Sequence, residues 1–388
     1  MMNETRKRQD LLFVQHSANR GGAPRSLFQL VSSLEQKGIG FDVLFLRGGP
    51  MCRFFSQNIN SNVSNGVFLL AFHGSEVSGM SAWLAVRNIV SILLSPYVCF
   101  RYLRRRKLVY FNSSALAVYG WVLRFFDRDV RIVYHLREPL RAGWSGRLIR
   151  YFVKKSADSV IAITKHELNN LNANDIRGKV VYNYFSQEAL PQSAELVPAA
   201  EKYAAKRVLR VGYFARVDVA NGISDFLAVS DFFAGVDGVE FHVYGLAGNE
   251  DPRVVAELRR REQVNVVVHK MVDNVGEVLA RLDLLLVLFL KPHFSRSVIE
   301  AASVGTPSII YDLPSLNETV VDRETGFVVP PGDVESVSKL VSQFVTVDGR
   351  RELVSYSNNA RVFTAGRFSE KNFDDIWTEL EWLLQPSC

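Results

Sequence analysis

Short runs of apolar residues recur along the whole chain, separated by stretches with helical periodicity. LLFVQ at 11–15, FDVLFL at 41–46 and LRVGYFA at 209–215 are dominated by Leu, Val and Phe and do not alternate strictly with polar residues. Runs of this kind are typical of strands buried on both faces of a parallel sheet. The pattern therefore predicts repeated β–α units and parallel sheets.

Both halves of the chain carry this pattern. The further predicted strands are VFLLA (67–71), LVYF (108–111), RIVYH (131–135), SVIAI (159–163), KVVYN (179–183), EFHVYG (240–245), VNVVVH (264–269), LDLLLVLFL (282–290), PSIIY (307–311) and GFVVP (326–330). We predict two Rossmann-like, doubly wound α/β domains at 1–187 and 208–368, joined by a proline-containing linker at 188–207. Apolar residues at helical spacing predict an amphipathic closing helix within 369–388.

Length and composition agree with two globular domains. The chain has 388 residues, 48% of them hydrophobic and 22% charged. Cys52, Cys99 and Cys388 are few and far apart, which disfavours a disulfide framework or a metal knuckle and favours a reducing compartment. The polar N-terminus shows no signal-peptide pattern, so we expect a cytoplasmic protein.

The net charge of +6 is unevenly distributed. Residues 1–190 hold 26 Lys and Arg against 12 Asp and Glu, whereas residues 191–388 hold 20 against 28. A basic first half predicts an anionic partner, such as a phospholipid surface or a phosphorylated substrate. Nucleic acid is not expected, because no helix-turn-helix, zinc or RNP pattern occurs.

The segment SILLSPYVCFRYLRRRK at 91–107 has two interpretations. Apolar and aromatic residues lead into five basic positions, which suits a helix at an anionic membrane interface. An ordinary domain helix with a solvated basic end has the same pattern. The apolar stretch 83–100 is interrupted by Arg87, Asn88 and Pro96, so it falls short of a spanning helix and any membrane association is expected to be peripheral, at the inner face.

Two loops after predicted strands carry candidate anion-binding residues, because ligands of open α/β sheets bind beyond the carboxyl ends of the strands. In HSANRGGAPRSL (16–27), Gly21 and Gly22 permit close backbone approach at a helix start. In YFARVDVANGISDFL (213–227), Arg216 can bind phosphate oxygens with two donors. A tight turn and a surface arginine are the ordinary alternatives, and neither a dinucleotide nor a P-loop fingerprint is present.

The third loop, KPHFSRSVIEAASVGTP at 291–307, combines a helix start with one carboxylate. Backbone amides and hydroxyls at Ser295, Arg296 and Ser297 suit a diphosphate. Glu300, one turn further on, is placed to accept two hydrogen bonds from a vicinal diol such as a ribose. The alternative is that Glu300 only stabilises the first turn of its helix.

Together and in this order, these segments resemble the GT-B glycosyltransferases of family 4 over nearly the whole chain. FARVDVANGISDFL is similar to the family's Gly-Arg-Leu…Lys-Gly stretch, and KPHFSRSVIEAASVGTPSII to its Glu-x7-Glu loop and helix. NETVVDRETGFVVPPGD (317–333) matches the segment that follows. RGGAPRSL resembles the Gly-Gly loop, and VYHLREPL (133–140) the strand end that usually carries a His. The resemblance implies two domains facing across a cleft, with the closing helix packing back toward the N-terminal domain.

The resemblance also implies the site residues, with no cofactor and no metal. Arg216, Glu300 and His135 would be catalytic, with Arg216 stabilising the leaving nucleotide. The donor would be bound by Gly22, Arg216, Asn221, Met271, Val272, His293, Ser295, Arg296, Ser297 and Glu300, with Glu300 on the ribose and Met271 and Val272 at the base. The acceptor would be bound by Gly21, Arg25, Arg137 and Glu138.

Two positions depart from the family pattern. The family's Lys falls on Asn221, and the first Glu of its acid pair falls on Pro292. We predict a retaining hexosyltransferase that moves a sugar from a UDP- or GDP-linked donor to a lipid-linked or saccharide acceptor in polysaccharide or glycolipid biosynthesis. The alternative is a degenerate, non-catalytic relative that binds nucleotide or glycan within a transferase complex. A periplasmic-type binding protein and a sugar-nucleotide epimerase fit the sequence less well.

Overall fold

In a computed structural model, the chain divides into two compact units. The first comprises residues 1–184 and 370–388, and the second residues 185–369. The structure describes residues 9–19, 21–66, 82–173, 175–184, 198–204, 208–246, 248, 250–262, 264–270, 272 and 274–385. The predicted strand at 67–71 and the predicted site residue Met271 lie outside these residues.

The first unit is built on a parallel sheet. Its strands are β1 (Leu11–Gln15), β2 (Asp42–Phe45), β3 (Asn62–Asn65), β4 (Leu108–Phe111), β5 (Arg131–Leu136), β6 (Ser159–Ala162) and β7 (Arg177–Val180). Within the described residues, these seven strands run parallel in the order β3-β2-β1-β4-β5-β6-β7. Both faces of β1 are buried, because Phe13 packs into the hydrophobic cluster on one face of the sheet and Val14 into the cluster on the other. This is why consecutive residues of the strand are apolar.

Helices cover both faces of this sheet. They are α1 (Gly22–Gln36), α2 (Pro50–Asn58), α3 (Ala82–Val98), α4 (Ala117–Phe126), α5 (Trp144–Ser156), α6 (Lys165–Leu171) and α14 (Lys371–Leu384). The clusters place α3, α4 and α5 on one face and α1, α2 and α14 on the other. α3 continues directly into a π-helical turn at Cys99–Leu103.

α14 is the amphipathic closing helix that the sequence predicts. Its apolar side is buried in the cluster that also contains α1, through Phe373, Ile376, Leu380 and Leu383. Glu379 is only 3% exposed. It accepts a hydrogen bond from Ser159 Oγ at 2.7 Å and two from Arg177, at 2.6 and 2.9 Å. A buried carboxylate thus ties the end of the chain to the edge of the first sheet.

The second unit repeats the same architecture. Its strands are β8 (Leu209–Phe214), β9 (Val239–Leu246), β10 (Val266–Lys270), β11 (Leu284–Val287), β12 (Ser308–Tyr311) and β13 (Gly326–Val329). Among the described residues these six strands are parallel and ordered β10-β9-β8-β11-β12-β13. Counted from the first strand of the unit, this is the Rossmann order 3-2-1-4-5-6.

The second sheet is also covered on both faces. Its helices are α7 (Ala199–Ala204), α8 (Ile223–Phe232), α9 (Pro252–Glu262), α10 (Val275–Arg281), α11 (Arg296–Ser303), α12 (Val334–Val345) and α13 (Val347–Arg367). One hydrophobic cluster joins α7, α8 and α12 to the sheet, and another joins α10 and α11. Two doubly wound α/β units are therefore present, as the apolar runs predict.

Two elements differ from the sequence pattern. β3 is the polar segment NVSN at the sheet edge, where no residue is fully buried and the apolar signal of a central strand is absent. α7 falls inside the segment 188–207, which the sequence predicts as a linker. Ala199 and Tyr203 are buried in the core of the second unit, and Lys202 Nζ donates to Thr306 Oγ1 at 2.9 Å.

Replacing Glu379 with alanine should destabilise the first unit. The change leaves the half-exposed Arg177 guanidinium and the buried Ser159 hydroxyl without this acceptor, so we expect a loss of about 2–3 kcal/mol in the free energy of unfolding. Urea unfolding followed by circular dichroism measures it. Glu381→Ala, at an exposed position of the same helix, is the control and should stay within about 0.5 kcal/mol of the unchanged chain. Equal stability of the two variants would contradict the assigned role.

Candidate functional site

Several predicted donor-site residues, among them Arg216 and Ser295, lie on loops where the strand order of the second unit reverses. β8 and β11 are neighbours in the sheet. The strand that follows β8 in sequence, β9, lies on one side of this pair, and the strand that follows β11, β12, lies on the other side. In open α/β sheets, a crevice forms at this point beyond the carboxyl ends of the strands. The loops 215–222, with Arg216, and 288–295, with Ser295, border it.

These two loops contact each other. The backbone N–H of Leu290 donates to the carbonyl oxygen of Ala220 at 3.0 Å. Gly222, at the end of the first loop, has φ of +78°, and a Cβ atom there would overlap the carbonyl oxygen of Leu288. Glycine alone tolerates both the left-handed backbone and this close approach. Gly222 therefore sets the spacing of the two loops.

Arg216 extends from the end of β8 with 70% of its side chain exposed. Its Nε donates to Asp218 Oδ2 at 2.7 Å, and its carbonyl oxygen accepts from Tyr213 OH at 2.7 Å. Within the described part of the chain, Nη1 and Nη2 make no hydrogen bond. The base of the side chain is thus positioned, and the outer edge of the guanidinium is left for an anion.

Asn221, which stands in place of the lysine of the resembled family, closes the same loop. Its Nδ2 donates to the carbonyl oxygen of Arg216 at 2.9 Å and to Asp218 Oδ2 at 3.0 Å. Its backbone N–H donates to Asp218 Oδ1 at 2.9 Å. The carboxylate of Asp218 therefore compensates the charge of Arg216, and Asn221 adds hydrogen bonds without adding a cation.

The start of α11 brings backbone amides, hydroxyls and a carboxylate together. Ser295 and Ser297 are buried, and their hydroxyl oxygens lie 2.9 Å apart. The side chain of the N-cap residue, Ser295, makes no capping hydrogen bond. The N–H groups of a helix start point outward and suit an anion. Glu300, 6% exposed, lies 3.4 Å from Arg296 Nε through Oε1. Within the described residues Oε2 has no such contact, so it keeps its capacity to accept hydrogen bonds.

The other predicted residues of this unit lie nearby along the chain. His293 is half-buried, with its ring centroid 5.7 Å from that of Phe289. Val272 is half-buried against the cluster that contains β11. A depression of about 760 Å³ elsewhere in the unit is lined from Asp312 to Asp322 and from Val328 to Pro330, and contains none of the predicted donor-site residues.

The glycine loop of the first unit follows β1. Gly22 opens α1, and Arg25 is exposed in its first turn, donating its backbone N–H to the carbonyl oxygen of Gly21 at 3.2 Å. Gly21 has an extended backbone, with φ of 177°, and a Cβ atom there would meet only ordinary van der Waals contact. Nothing in the described part of the chain requires glycine at position 21. Gly21 therefore does not form the tight turn that was the alternative interpretation of this loop.

A polar network missed by the sequence analysis lies at the carboxyl edge of the first sheet. Asn112, after β4, donates to Gln15 Oε1 at 2.6 Å and accepts from Arg137 Nε and Nη2 at 2.9 and 2.8 Å. Arg137 Nη1 donates to Asn183 Oδ1 at 3.0 Å. The Gln15–Asn112 bond bridges β1 and β4, where this strand order reverses. The position of Asn112, a polar residue directly after the buried strand LVYF, was the sequence signal that could have indicated this network.

His135 lies under this network as a neutral hydrogen-bond donor. It is 2% exposed, and its Nδ1 bonds to Tyr110 OH and to Arg137 Nη2, the latter at 3.2 Å. A guanidinium only donates, so Nδ1 must accept and Nε2 carries the proton. Burial, together with Arg137, holds the pKa of His135 well below its usual range. Among the described residues, nothing accepts from the buried Nε2. Glu138 follows, half-buried.

Comparison with known proteins finds a family match in the second unit. Residues 206–347 match the family model described as "Glycosyl transferases group 1". This part of the chain is similar to the proteins of that family. The matched range includes Arg216, Asn221, the start of α11 and Glu300.

Two curated relatives share shorter segments with the chain. The capsular polysaccharide biosynthesis glycosyltransferase CapM of Staphylococcus aureus is 31% identical over 88 residues, which cover 23% of this chain and 22% of CapM. The 2-deoxystreptamine N-acetyl-D-glucosaminyltransferase of Streptomyces fradiae is 28% identical over 167 residues, covering 41% of this chain and 38% of the relative. The chain thus spans less than two thirds of either relative.

A solved structure is similar to this chain over far more of its length. Anabaena Alr3699/HepE in complex with UDP superposes with a TM-score of 0.75 at 18% identity, over 96% of this chain and 100% of that chain. The predicted fold class, two Rossmann-like parallel-sheet domains of the GT-B type, is confirmed.

Gly222→Ala should destabilise the second unit more than Gly235→Ala. Both positions have φ near +79°, so each alanine incurs strain of about 1 kcal/mol. Only at position 222 does the new Cβ also meet backbone, whereas nothing lies within 4 Å at position 235. We expect a further loss of about 1–3 kcal/mol from this overlap, measured by urea unfolding. Equal losses would show that the two loops do not constrain each other.

The stability of the first unit should depend on pH through His135. The folded chain keeps His135 neutral, whereas the unfolded chain binds a proton there below about pH 6.5. Stability from this residue is therefore present above about pH 6.5 and lost as the pH falls, by at most about 1.4 kcal/mol per pH unit.

Unfolding free energies measured between about pH 7.5 and about pH 5.5 check this dependence. The slope should be shallower for His135→Gln than for the unchanged chain. His242 and His269 also have lowered pKa values, but they are present in every variant and cancel in the comparison. An unchanged slope in His135→Gln would refute the neutral buried state.

Proposed function

We propose that the chain is a retaining hexosyltransferase that moves a sugar from a UDP- or GDP-linked donor to a lipid-linked or saccharide acceptor in polysaccharide or glycolipid biosynthesis. The observation that carries this proposal is the contact between the loops after β8 and β11. This contact joins the loop that carries the exposed Arg216 to the loop that leads into α11, and it supports a shared crevice for the two. Both loops lie within the region that matches the group 1 family.

Arg216 and α11 suit a nucleoside diphosphate. The free Nη1 and Nη2 edge of Arg216 and the first amides of α11 would bind the phosphate oxygens, with the hydroxyls of Ser295 and Ser297 beside them. Glu300 Oε2 would accept from the ribose hydroxyls, and the backbone at Met271 and Val272 would contact the base. The structures of Anabaena Alr3699/HepE with UDP and with UDP-glucose support a uridine donor as the first to test.

In the transfer, the acceptor oxygen bonds to the anomeric carbon while the bond from that carbon to the diphosphate breaks. The diphosphate leaves with the electron pair, and the proton of the acceptor hydroxyl passes to it on the same face of the sugar. Arg216 and the α11 amides stabilise the growing negative charge, because they are fixed before the reaction starts. The proposal uses no cofactor.

The first unit would bind the sugar and the acceptor. His135 would donate from Nε2 to a sugar hydroxyl, since its Nδ1 is engaged and its low pKa excludes an imidazolium. It is thus assigned as a donor of a hydrogen bond and not as a general base. Gly22 would let the donor approach the backbone, and Gly21, Arg25, Arg137 and Glu138 would contact the acceptor. His293, in the second unit, would face the donor sugar.

We place this reaction in the cytoplasm, at the inner face of a membrane. The excess of basic residues in 1–190 supports an anionic lipid or lipid-diphosphate acceptor. The name of the Staphylococcus aureus relative, a capsular polysaccharide biosynthesis glycosyltransferase, supports a polysaccharide acceptor.

One observation favours the alternative, a relative that binds nucleotide without turnover. Two cations of the crevice are each paired with a carboxylate, Arg216 with Asp218 and Arg296 with Glu300. Asn221 adds no cation where the resembled family has a lysine. A departing diphosphate would therefore be stabilised by less positive charge, which would weaken catalysis more than nucleotide binding.

Arg216→Ala tests the proposal directly. Loss of a preorganised donor to the departing diphosphate should lower the turnover of UDP-glucose or GDP-mannose about 10²–10³-fold. Turnover is measured as release of the free nucleotide, with a membrane extract as the source of acceptors. Arg210→Ala is the matched control, because Arg210 lies exposed on β8 itself, pairs with Glu240 and should not affect turnover.

Nucleotide binding by calorimetry separates the two candidate functions. Binding of UDP or GDP that weakens in Glu300→Ala, without turnover by the unchanged chain for any donor, would establish the non-catalytic relative. Turnover that Arg216→Ala retains in full would refute the assigned role of the guanidinium. Failure of the unchanged chain to bind any nucleotide would refute both candidates.

A further inference from the structure

α3 and the π-helical turn after it carry a stripe of exposed apolar side chains. The members recur every three or four positions, so they share one side of the helix. This α3 stripe consists of Trp83, Val86, Ile89, Leu93, Tyr97 and Phe100. Trp83 and Leu93 are 70% and 73% exposed. Soluble proteins rarely leave a continuous apolar surface of this kind in water.

The opposite side of α3 is polar where it is buried. Asn88, Ser91 and Ser95 have no exposed surface, and Ser95 Oγ donates to the carbonyl oxygen of Ile92 at 2.6 Å. A helix that only covers a sheet in water turns its apolar side inward. α3 shows the reverse distribution over much of its described length, although Ile92 packs partly against the core and the last residue, Val98, enters it. This reversal indicates an apolar medium on the outer side of the helix.

The neighbouring helices extend this apolar surface. α3 packs against α4, and α4 against α5, on one face of the first sheet. Phe125 at the end of α4 and Tyr151 on α5 are exposed, and both contact Trp121, with ring centroids 5.3 and 6.4 Å apart. Trp144 at the start of α5 is exposed as well. Aromatic side chains of this kind favour the boundary between lipid headgroups and acyl chains.

The charge of this part of the unit is positive. Residues 82–126 contain seven Arg and Lys and no Asp or Glu. Arg101 and Arg105 are exposed at the end of the α3 stripe. The guanidinium carbon of Arg104 lies 3.5 Å from the centroid of the Phe100 ring. Cationic groups therefore stand beside the aromatic ring that ends the stripe.

We propose that the α3 stripe, with the exposed aromatic residues of α4 and α5, docks on the surface of an anionic lipid bilayer. The apolar side chains enter the boundary below the headgroups, and the arginines of the stripe end meet the lipid phosphates. α3 lies along the surface, since none of the described helices is long and apolar enough to cross a bilayer. A second copy of the chain fits less well, because two such faces would bring their arginines together.

This docking function goes beyond sugar transfer and uses different residues. It predicts that the chain binds vesicles in the absence of any nucleotide or acceptor. The full chain is sedimented with vesicles of phosphatidylcholine alone and of phosphatidylcholine mixed with phosphatidylglycerol. We expect binding to the mixed vesicles that weakens at high salt, and much weaker binding to the neutral ones.

Two double substitutions separate the apolar contribution to vesicle binding from the contribution of the charged residues. Leu93→Ser with Tyr97→Ser should lower the partition coefficient onto mixed vesicles at least about tenfold. Arg101→Gln with Arg105→Gln should lower it about fivefold for each arginine. The matched controls lie on exposed positions of the second unit, Val362→Ser for the apolar pair and Arg253→Gln with Arg259→Gln for the charged pair. Both controls should bind like the unchanged chain.

Three outcomes would overturn the proposal. The first is absence of vesicle binding by the unchanged chain, and the second is full retention of binding by both stripe variants. The third is a dimer, seen by light scattering, that Leu93→Ser with Tyr97→Ser dissociates while vesicle binding persists, because the face would then join two chains. UDP binding, measured on the same variants, should be unchanged, so a failure here is distinguishable from a failure of the donor site.

Discussion

The close approach of Gly222 to the carbonyl oxygen of Leu288 is the constraint on which the donor side of this protein depends. β8 and β11 are adjacent, but the chain leaves them in opposite directions, so their loops would diverge without a residue that lets the backbones meet. Because position 222 has no side chain, the loop that carries Arg216 and the loop that leads into α11 share one crevice. The proposed anion-binding groups come from two distant segments of the chain, and this contact brings their loops together.

The charged groups of both units are held by internal partners before any ligand arrives. Asp218 positions Arg216, Arg296 faces Glu300, and Asn112 with Asn183 holds Arg137. Such pairing lowers the net charge available to a substrate but removes the need to order flexible side chains during the reaction. These networks fix the orientation of the charged side chains more than they supply net charge. The buried His135 follows the same principle, because Arg137 fixes which of its nitrogen atoms carries the proton.

The sequence predicted what depends on local pattern and not what depends on long-range packing. The strand runs follow from periodicity, and the structure has β8 within the predicted run 209–215. The polar edge strand β3 gave no signal, since a strand with no fully buried residue needs no apolar pattern. Asn112 and Gln15 are 97 residues apart, so their pairing was invisible along the chain. The exposure of the apolar side of α3 likewise could not be predicted from the sequence, because an apolar stripe on a helix normally indicates the side that faces the core.

The closing helix has a consequence for how the protein is made. Glu379 bonds to Ser159, 220 residues earlier in the chain, and α14 completes the core of the unit that is synthesised first. That unit therefore leaves the ribosome with part of its apolar face uncovered. The face stays uncovered until the second unit and then α14 have been synthesised. Until α14 is made, this uncovered face is accessible to chaperones and proteases, so loss of α14 alone would damage a unit whose other elements lie far earlier in the sequence.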